Sequence, residues 1–94
     1  MVRAIWKNTI IAESEQTRTV EGNYYFPLNS VRQEYLQDSS TTSVCGWKGQ
    51  ANYYSIKVGD DVNNDAAWTY RQPKEEAKEI AGYIAFWKGV QIEV

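Results

Sequence analysis

The sequence has no histidine and only one cysteine among its 94 residues. Without histidine there can be no Ser-His-Asp triad, no Cys-His dyad and no His-ligated metal. A single cysteine forbids an internal disulfide and a zinc site built from paired cysteines. No GxGxxG or P-loop motif occurs either, so we expect neither a metal nor another cofactor.

A basic excess and a long apolar run are also absent. Ten basic and twelve acidic residues give a net charge of -2, whereas general nucleic-acid and membrane-surface binders carry a clear basic excess. The longest apolar run, Tyr83–Trp87, is far too short to span a bilayer, and residues 1–7 lack the apolar core of a signal peptide. Together with the lone thiol, these features predict a cytoplasmic protein with no nucleic-acid and no membrane partner.

What the chain has in quantity is aromatic residues and a repeated turn sequence. Four Trp, seven Tyr and two Phe give a small domain much area to bury. Trp-Lys followed by Asn or Gly occurs at Trp6–Asn8, Trp47–Gly49 and Trp87–Gly89. Asn and Gly accept the positive φ of a tight two-residue turn. We therefore predict equivalent hairpins at the two ends of the chain, with Trp6 and Trp87 each ending a strand.

The alternation of apolar and polar residues predicts a mainly β chain, forming one domain over residues 1–94. Ser30 followed by Gln33 matches a capping box and predicts a short helix that begins at Ser30. A ragged helical turn is predicted over 74–80, after Pro73, and a polar loop over 59–65. About eight strands are predicted, at 2–6, 9–13, 17–21, 41–45, 51–58, 66–70, 83–87 and 90–93.

Five motifs, in order along the whole chain, resemble one known family. They are Glu21–Pro27, Ser30-Val31, Cys45–Gly49 with Ala51 and Tyr53, Ala66–Tyr70, and Gly82–Trp87. Together they resemble the small bacterial and fungal family called domain of unknown function four-two-seven, sometimes labelled nucleotidyltransferase-like. The sequence offers no carboxylate cluster for the Mg²⁺ that nucleotidyl transfer normally needs.

The resemblance implies a β-tent, in which two antiparallel sheets pack at an angle, as in Mss4-like proteins. Many of those relatives hold zinc with two CxxC pairs, so this chain would be a metal-free version. Family members often have His where Tyr24 stands and Pro where Gly46 stands. Chemistry that depends on that His cannot operate here.

Cys45 and Lys48 are the first candidate site residues. A lysine near a thiol favours the thiolate and would make Cys45 a nucleophile or a redox-sensitive group. The alternative is a small buried core residue at a strand end, because Cys is among the most buried residue types.

Glu21 is the second candidate, since a carboxylate facing an aromatic pocket can act as an acid or a base. Its alternative is a solvated surface ion pair.

The aromatic residues suggest a cage for a flat ring or a cation, although core packing is the alternative for each of them. The set considered is Tyr25, Trp47, Tyr53, Trp68, Tyr70 and Trp87. We predict a pocket around the hairpin 45–53 that faces Glu21, Tyr25 and Trp68.

Two functions follow from this reading. The first is a binding module for a small flat or anionic ligand, with ligand-binding residues Tyr25, Trp47, Tyr53 and Trp68. The second is a small enzyme that uses Cys45 or Glu21 with Lys48 as nucleophile or acid and base. The sequence does not identify the ligand, a partner protein or the oligomeric state.

Overall fold

The computed structural model describes residues 1–94, and the chain is mainly β, as predicted. Nine strands form three antiparallel sheets, with the orders β2-β1-β9, β3-β4 and β5-β6-β7-β8. The strands are β1 (Val2–Trp6), β2 (Thr9–Ser14), β3 (Arg18–Val20), β4 (Asn23–Tyr25), β5 (Leu36–Cys45), β6 (Gly49–Val58), β7 (Asp61–Thr69), β8 (Ile84–Phe86) and β9 (Gln91–Glu93). Three short 3-10 helices span Leu28–Ser30, Gln33–Tyr35 and Glu75–Ile80. None of the helices is long and apolar enough to cross a membrane.

The four-stranded sheet carries an apolar layer on each of its faces, because successive side chains of a strand point to opposite sides. One layer joins it to the three-stranded sheet and contains Ile11, Phe26 and Ile56. The other layer, which contains Tyr25 and Ile80, is covered by strand β4 and the last 3-10 helix. Of the aromatic residues predicted for the pocket, Tyr25 belongs to this second layer, and Tyr53 and Trp68 pack against it.

The prediction of equivalent terminal hairpins is half right. Both turns have the expected conformation, with φ of 57° at Asn8 and 87° at Gly89. Trp6 ends β1, and β1 pairs with β2 as a hairpin. Trp87, in contrast, follows the end of β8, and β8 pairs with β7 while β9 pairs with β1. The second turn therefore carries the chain from one sheet to another, because turn residues determine local φ but not the strand that pairs next.

The predicted helix at Ser30 is wrong. Ser30 ends a 3-10 helix, and its hydroxyl donates to the carbonyl of Pro27 (2.7 Å) instead of capping a following turn. Val31 is extended (φ -98°, ψ 133°), is 5% exposed and forms a β-bridge with Ala12. Burial of Val31 in the first apolar layer outweighs the local capping signal, which Gln33 also fails to complete, since its amide donates to carbonyls.

The predicted loop over 59–65 is also wrong, because β7 begins at Asp61. Residues 61–63 pair with 56–58 of β6, so the turn itself is very short. The first residues of β7 are mostly polar and exposed. A strand with no buried face lacks the alternation of apolar and polar residues from which strands are predicted. The helical turn predicted over 74–80 is confirmed by the 3-10 helix Glu75–Ile80.

Candidate functional site

The turn between β5 and β6 directs Lys48 into the protein. Cys45 pairs with Gly49, which has a φ of 107° that favours glycine. The turn is tied down by Lys74, whose backbone N–H donates to the Lys48 carbonyl (2.9 Å) and whose ammonium donates to the Gly46 carbonyl (2.7 Å). Lys48 is consequently only 6% exposed.

Lys48 forms an ion pair with Glu21 of the β3–β4 turn. The two side chains differ in burial, since 8% of Lys48 but 54% of Glu21 is exposed, so the carboxylate lies on the solvent side. The hydrogen bond from Lys48 holds the pKa of Glu21 below its ordinary value. Burial acts to lower the pKa of Lys48, but the Glu21 hydrogen bond and the nearby phenols of Tyr70 and Tyr25 raise it overall. Both partners are therefore charged at neutral pH.

Lys48 lies against an aromatic cavity of about 180 Å³ on the second apolar layer. The cavity is lined by Asn23, Tyr25, Lys48, Tyr53, Trp68, Tyr70 and Trp87. Lys48 is the one charged residue in this lining. The Lys48 Nζ is 4.9 Å from the ring centre of Trp47 and 5.7 Å from that of Tyr70. The lysine thus already occupies a cation–π position between two aromatic rings.

The aromatic walls of the cavity are held in fixed relative orientations. Trp68 is the register partner of Tyr53 in the sheet. Its indole N–H donates to the hydroxyl of Tyr25 (3.2 Å), and the two rings are perpendicular at 6.2 Å. Trp68 also meets Trp87 edge to face at 5.8 Å. These contacts fix the orientation of the aromatic walls relative to one another.

Trp87 reaches the cavity through the turn that leaves β8. Its indole N–H donates to the carbonyl of Asp65 (2.6 Å), and the Lys88 carbonyl accepts from the amide of Asn63 (2.8 Å). Asp65 itself has a φ of 56° and accepts hydrogen bonds from two hydroxyls of β5. The irregular middle of β7 therefore anchors this wall.

The hydroxyls of Tyr25 and Tyr70 remain protonated at neutral pH. Burial raises the pKa of Tyr25 and of Tyr70 above the ordinary value. The Tyr53 hydroxyl shares a hydrogen bond with Ser43 (2.9 Å). A protonated phenol can donate as well as accept, so Tyr25 and Tyr70 give the cavity hydrogen-bond donors beside the lysine.

Cys45 lies next to this arrangement but does not line the cavity. Its thiol is partly exposed, and the neighbouring backbone N–H groups of Lys48 and Trp47 lower its pKa. Trp47 is 39% exposed and also stays outside the lining, with one face toward the Lys48 ammonium.

The structure brings together most of the residues proposed from the sequence. Tyr25, Lys48, Tyr53 and Trp68 line one cavity, and Glu21 is bonded to the lysine. Tyr70 and Trp87 also line it, and both belonged to the candidate aromatic set although they were not among the predicted ligand-binding residues. Asn23 lines it too and was not a candidate. The sequence could have indicated Asn23 and Tyr70, because residues two apart in a strand share a face. Asn23 lies two residues before Tyr25, and Tyr70 lies two residues after Trp68. The Trp87 position depends on the turn between two sheets, which the sequence pattern did not reveal.

The structure shows no group of three or more acidic, histidine or cysteine side chains that could hold a metal ion. The prediction that the domain is free of zinc remains one for elemental analysis.

Fold and site together define a small antiparallel β-domain in which a buried, ion-paired lysine faces an aromatic cavity. The chain belongs to the family described as Domain of unknown function (DUF427), whose model matches residues 1–94. The family resemblance drawn from the five motifs is therefore confirmed. No curated protein matches the chain.

Proposed function

We propose that this protein is a binding module for a small flat or anionic ligand, held in the aromatic cavity beside Lys48. The observation that carries the proposal is the lysine itself, a charge that is only 6% exposed and faces an aromatic lining. Burying a charge is costly unless it is paired. Here the buried Lys48 is paired with Glu21 and also lines the aromatic cavity. A few polar groups placed in a mostly apolar pocket are typical of ligand-binding sites.

The volume of the cavity limits the size of the ligand. Cavities that hold drug-sized molecules are about 300–1,000 Å³, whereas an engineered cavity of about 150 Å³ accommodates benzene. At about 180 Å³, this cavity suits a single ring with a small substituent. The perpendicular faces of Trp68 and Trp87 give such a ring apolar contact on two sides.

The charge of the lining favours an anion over a cation. A second cation about 4 Å from Lys48 would meet a repulsion of about 4 kcal/mol at an effective dielectric constant near 20. A cation–π contact returns only about 2 kcal/mol in a desolvated site. The aromatic cage is therefore unsuited to a cationic ligand, although the sequence alone left that class open.

The same proposal includes the β-tent arrangement and a cytoplasmic location. The β-tent is supported by the packing of the three- and four-stranded sheets on one shared apolar layer. The cytoplasm is supported by the single free cysteine, which a reducing compartment would preserve. Superposition on a solved Mss4-like domain tests the first point, and fluorescent tagging of the protein in its host cell tests the second.

Nuclear magnetic resonance of the tryptophan indole N–H groups tests the binding function. A panel of single-ring neutral, anionic and cationic compounds should shift the signals of Trp68 and Trp87 for at least one class. Lys48→Met should weaken binding of an anionic compound. Lys7→Met is the matched control, since Lys7 also follows a tryptophan and contacts its ring (5.7 Å) but is exposed. If no class of compound shifts either signal at millimolar concentration, the binding module is refuted.

A small enzyme is the second candidate, favoured by the lowered pKa of the partly exposed Cys45 thiol beside the backbone N–H groups of Lys48 and Trp47. In that case Cys45 would be the nucleophile, with Lys48 as the acid and Glu21 as the base. The raised pKa of Lys48 and the lowered pKa of Glu21 keep both groups charged and make each a weaker proton-transfer group at neutral pH. Cys45→Ala separates the two functions. A binding module keeps its ligand affinity in this variant, whereas a thiol enzyme loses turnover.

A further inference from the structure

We infer that the ligand is a single-ring carboxylate, and that the Glu21 carboxylate occupies the position on Lys48 that the ligand's carboxylate takes. This inference rests on the proposed binding function and adds the ligand class and its internal competitor. It is carried by the donors at the lysine end of the cavity and by the unequal burial of the ion pair.

Hydrogen-bond donors predominate at the lysine end of the cavity. The Lys48 ammonium has three N–H donors, and one of them is directed at Glu21. The Tyr25 hydroxyl accepts from Trp68, which leaves its own proton available to donate. Tyr70 adds a second hydroxyl to the lining. A carboxylate has only acceptor oxygens when ionised, so it complements this set.

The net charge of the lining separates a carboxylate from a phosphate. Lys48 is the one charged group of the lining, and it supplies a single positive charge. A phosphate monoester carries about 1.5 to 2 negative charges near neutral pH. A monovalent carboxylate is balanced by one lysine, whereas a phosphate would keep an uncompensated charge against aromatic walls.

The position of Glu21 allows a ligand carboxylate to replace it in the ion pair with Lys48. It lies in a turn where Glu21 and Gly22 have φ of 53° and 80°, and more than half of its side chain is exposed. Released from Lys48, the carboxylate can therefore remain solvated, whereas the lysine is buried and must keep a partner. A partly exposed ion pair is weak, so a ligand that brings both a carboxylate and a buried ring can displace it.

Titration with benzoate, followed by the indole signals of Trp68 and Trp87, tests the inference. We expect benzoate to bind more tightly than acetate, which lacks the ring, and than benzyl alcohol, which lacks the charge. Phenyl phosphate and benzylamine should bind more weakly than benzoate. Lys48→Met should weaken benzoate at least tenfold, the loss typical of a hydrogen bond to a charged group.

The decisive variant is Glu21→Gln, which should bind benzoate about two- to fivefold more tightly because the competitor is removed. Glu13→Gln is the matched control, since Glu13 pairs with Arg3 (2.9 Å) in another sheet, and its benzoate affinity should stay unchanged. Unchanged or weaker benzoate binding by Glu21→Gln would refute the inference that Glu21 and the ligand compete for Lys48. Tighter binding of phenyl phosphate or benzylamine than of benzoate overturns the ligand class but leaves the binding module standing. If no compound shifts the indole signals of Trp68 and Trp87, the proposed binding function is refuted.

Discussion

The hydrogen bond from the Trp68 indole to the Tyr25 hydroxyl should stabilise the fold and the cavity wall together. Its length is 3.2 Å, and the two rings meet at 90° with their centres 6.2 Å apart. Tyr25 is only 1% exposed, so water cannot easily replace a missing hydroxyl. Replacing Tyr25 by Phe deletes that oxygen and keeps the ring, which leaves the indole N–H without its partner.

The expected cost follows from this geometry. A buried donor left without a partner costs about 1–3 kcal/mol, and the net worth of an intact hydrogen bond is about 1 kcal/mol. Tyr25→Phe should therefore lower the free energy of unfolding by about 1–3 kcal/mol. In a domain of this size each kcal/mol corresponds to about 4–8 °C in Tm. Trp68→Phe carries a further packing loss, because it also shrinks the ring.

A double-mutant cycle separates the hydrogen bond from the packing loss. Urea unfolding of the wild type, Tyr25→Phe, Trp68→Phe and the double variant should give a coupling energy of about 1 kcal/mol. Tyr24→Phe is the control, since Tyr24 packs on the other apolar layer, and it should change stability by no more than about 0.5 kcal/mol. Additive losses, with no coupling between Tyr25 and Trp68, would refute the proposed role of this bond.

Four further predictions follow from the structure. Gly49→Ala should cost about 1–2 kcal/mol in urea unfolding because its φ is 107°, while Gly46→Ala, with open space around it, should be nearly neutral. Cys45 should react with iodoacetamide faster at pH 7 than a free cysteine peptide, since two backbone N–H groups stabilise its thiolate, and equal rates would contradict this. The pKa values of Glu21 and Asp65 are lowered from ordinary values of 4.5 and 3.8, so their stabilisation is complete above those values and is lost as pH falls through the lower folded values. The urea midpoint should thus drop as the pH falls below 4.5, and it should drop less in Asp65→Asn. Elemental analysis should find no stoichiometric zinc after treatment with a chelator.

Local features of the fold could be predicted from the sequence where a short segment determines its own conformation. The turn residues at Asn8 and Gly89 take positive φ as expected, because only a few residue types tolerate that region. The alternation in β6 and at the end of β7 also identified the strands that carry Tyr53 and Trp68. These inferences needed no knowledge of the partner strand.

Features that depend on distant segments could not be predicted in the same way. Strand β9 pairs with β1, about ninety residues earlier in the chain, and not with the adjacent β8. Val31 is extended because Ala12 pairs with it, although Ser30 and Gln33 favour a helix locally. In the second case tertiary pairing overrode a local capping signal of about 1 kcal/mol.

The three Trp-Lys turns show how the candidate site arises from this distinction. Lys7 and Lys88 both have positive φ, of 51° and 54°, and both are exposed. Lys48 also follows a tryptophan, but its turn is held by two hydrogen bonds from Lys74, which lies 26 residues further along the chain. Lysine near a strand edge usually remains solvated and discourages pairing with another sheet. Lys48 is instead a buried charge beside an aromatic cavity. The dipeptide therefore supplies the lysine, and the hydrogen bonds from Lys74 distinguish this buried lysine from the two exposed ones.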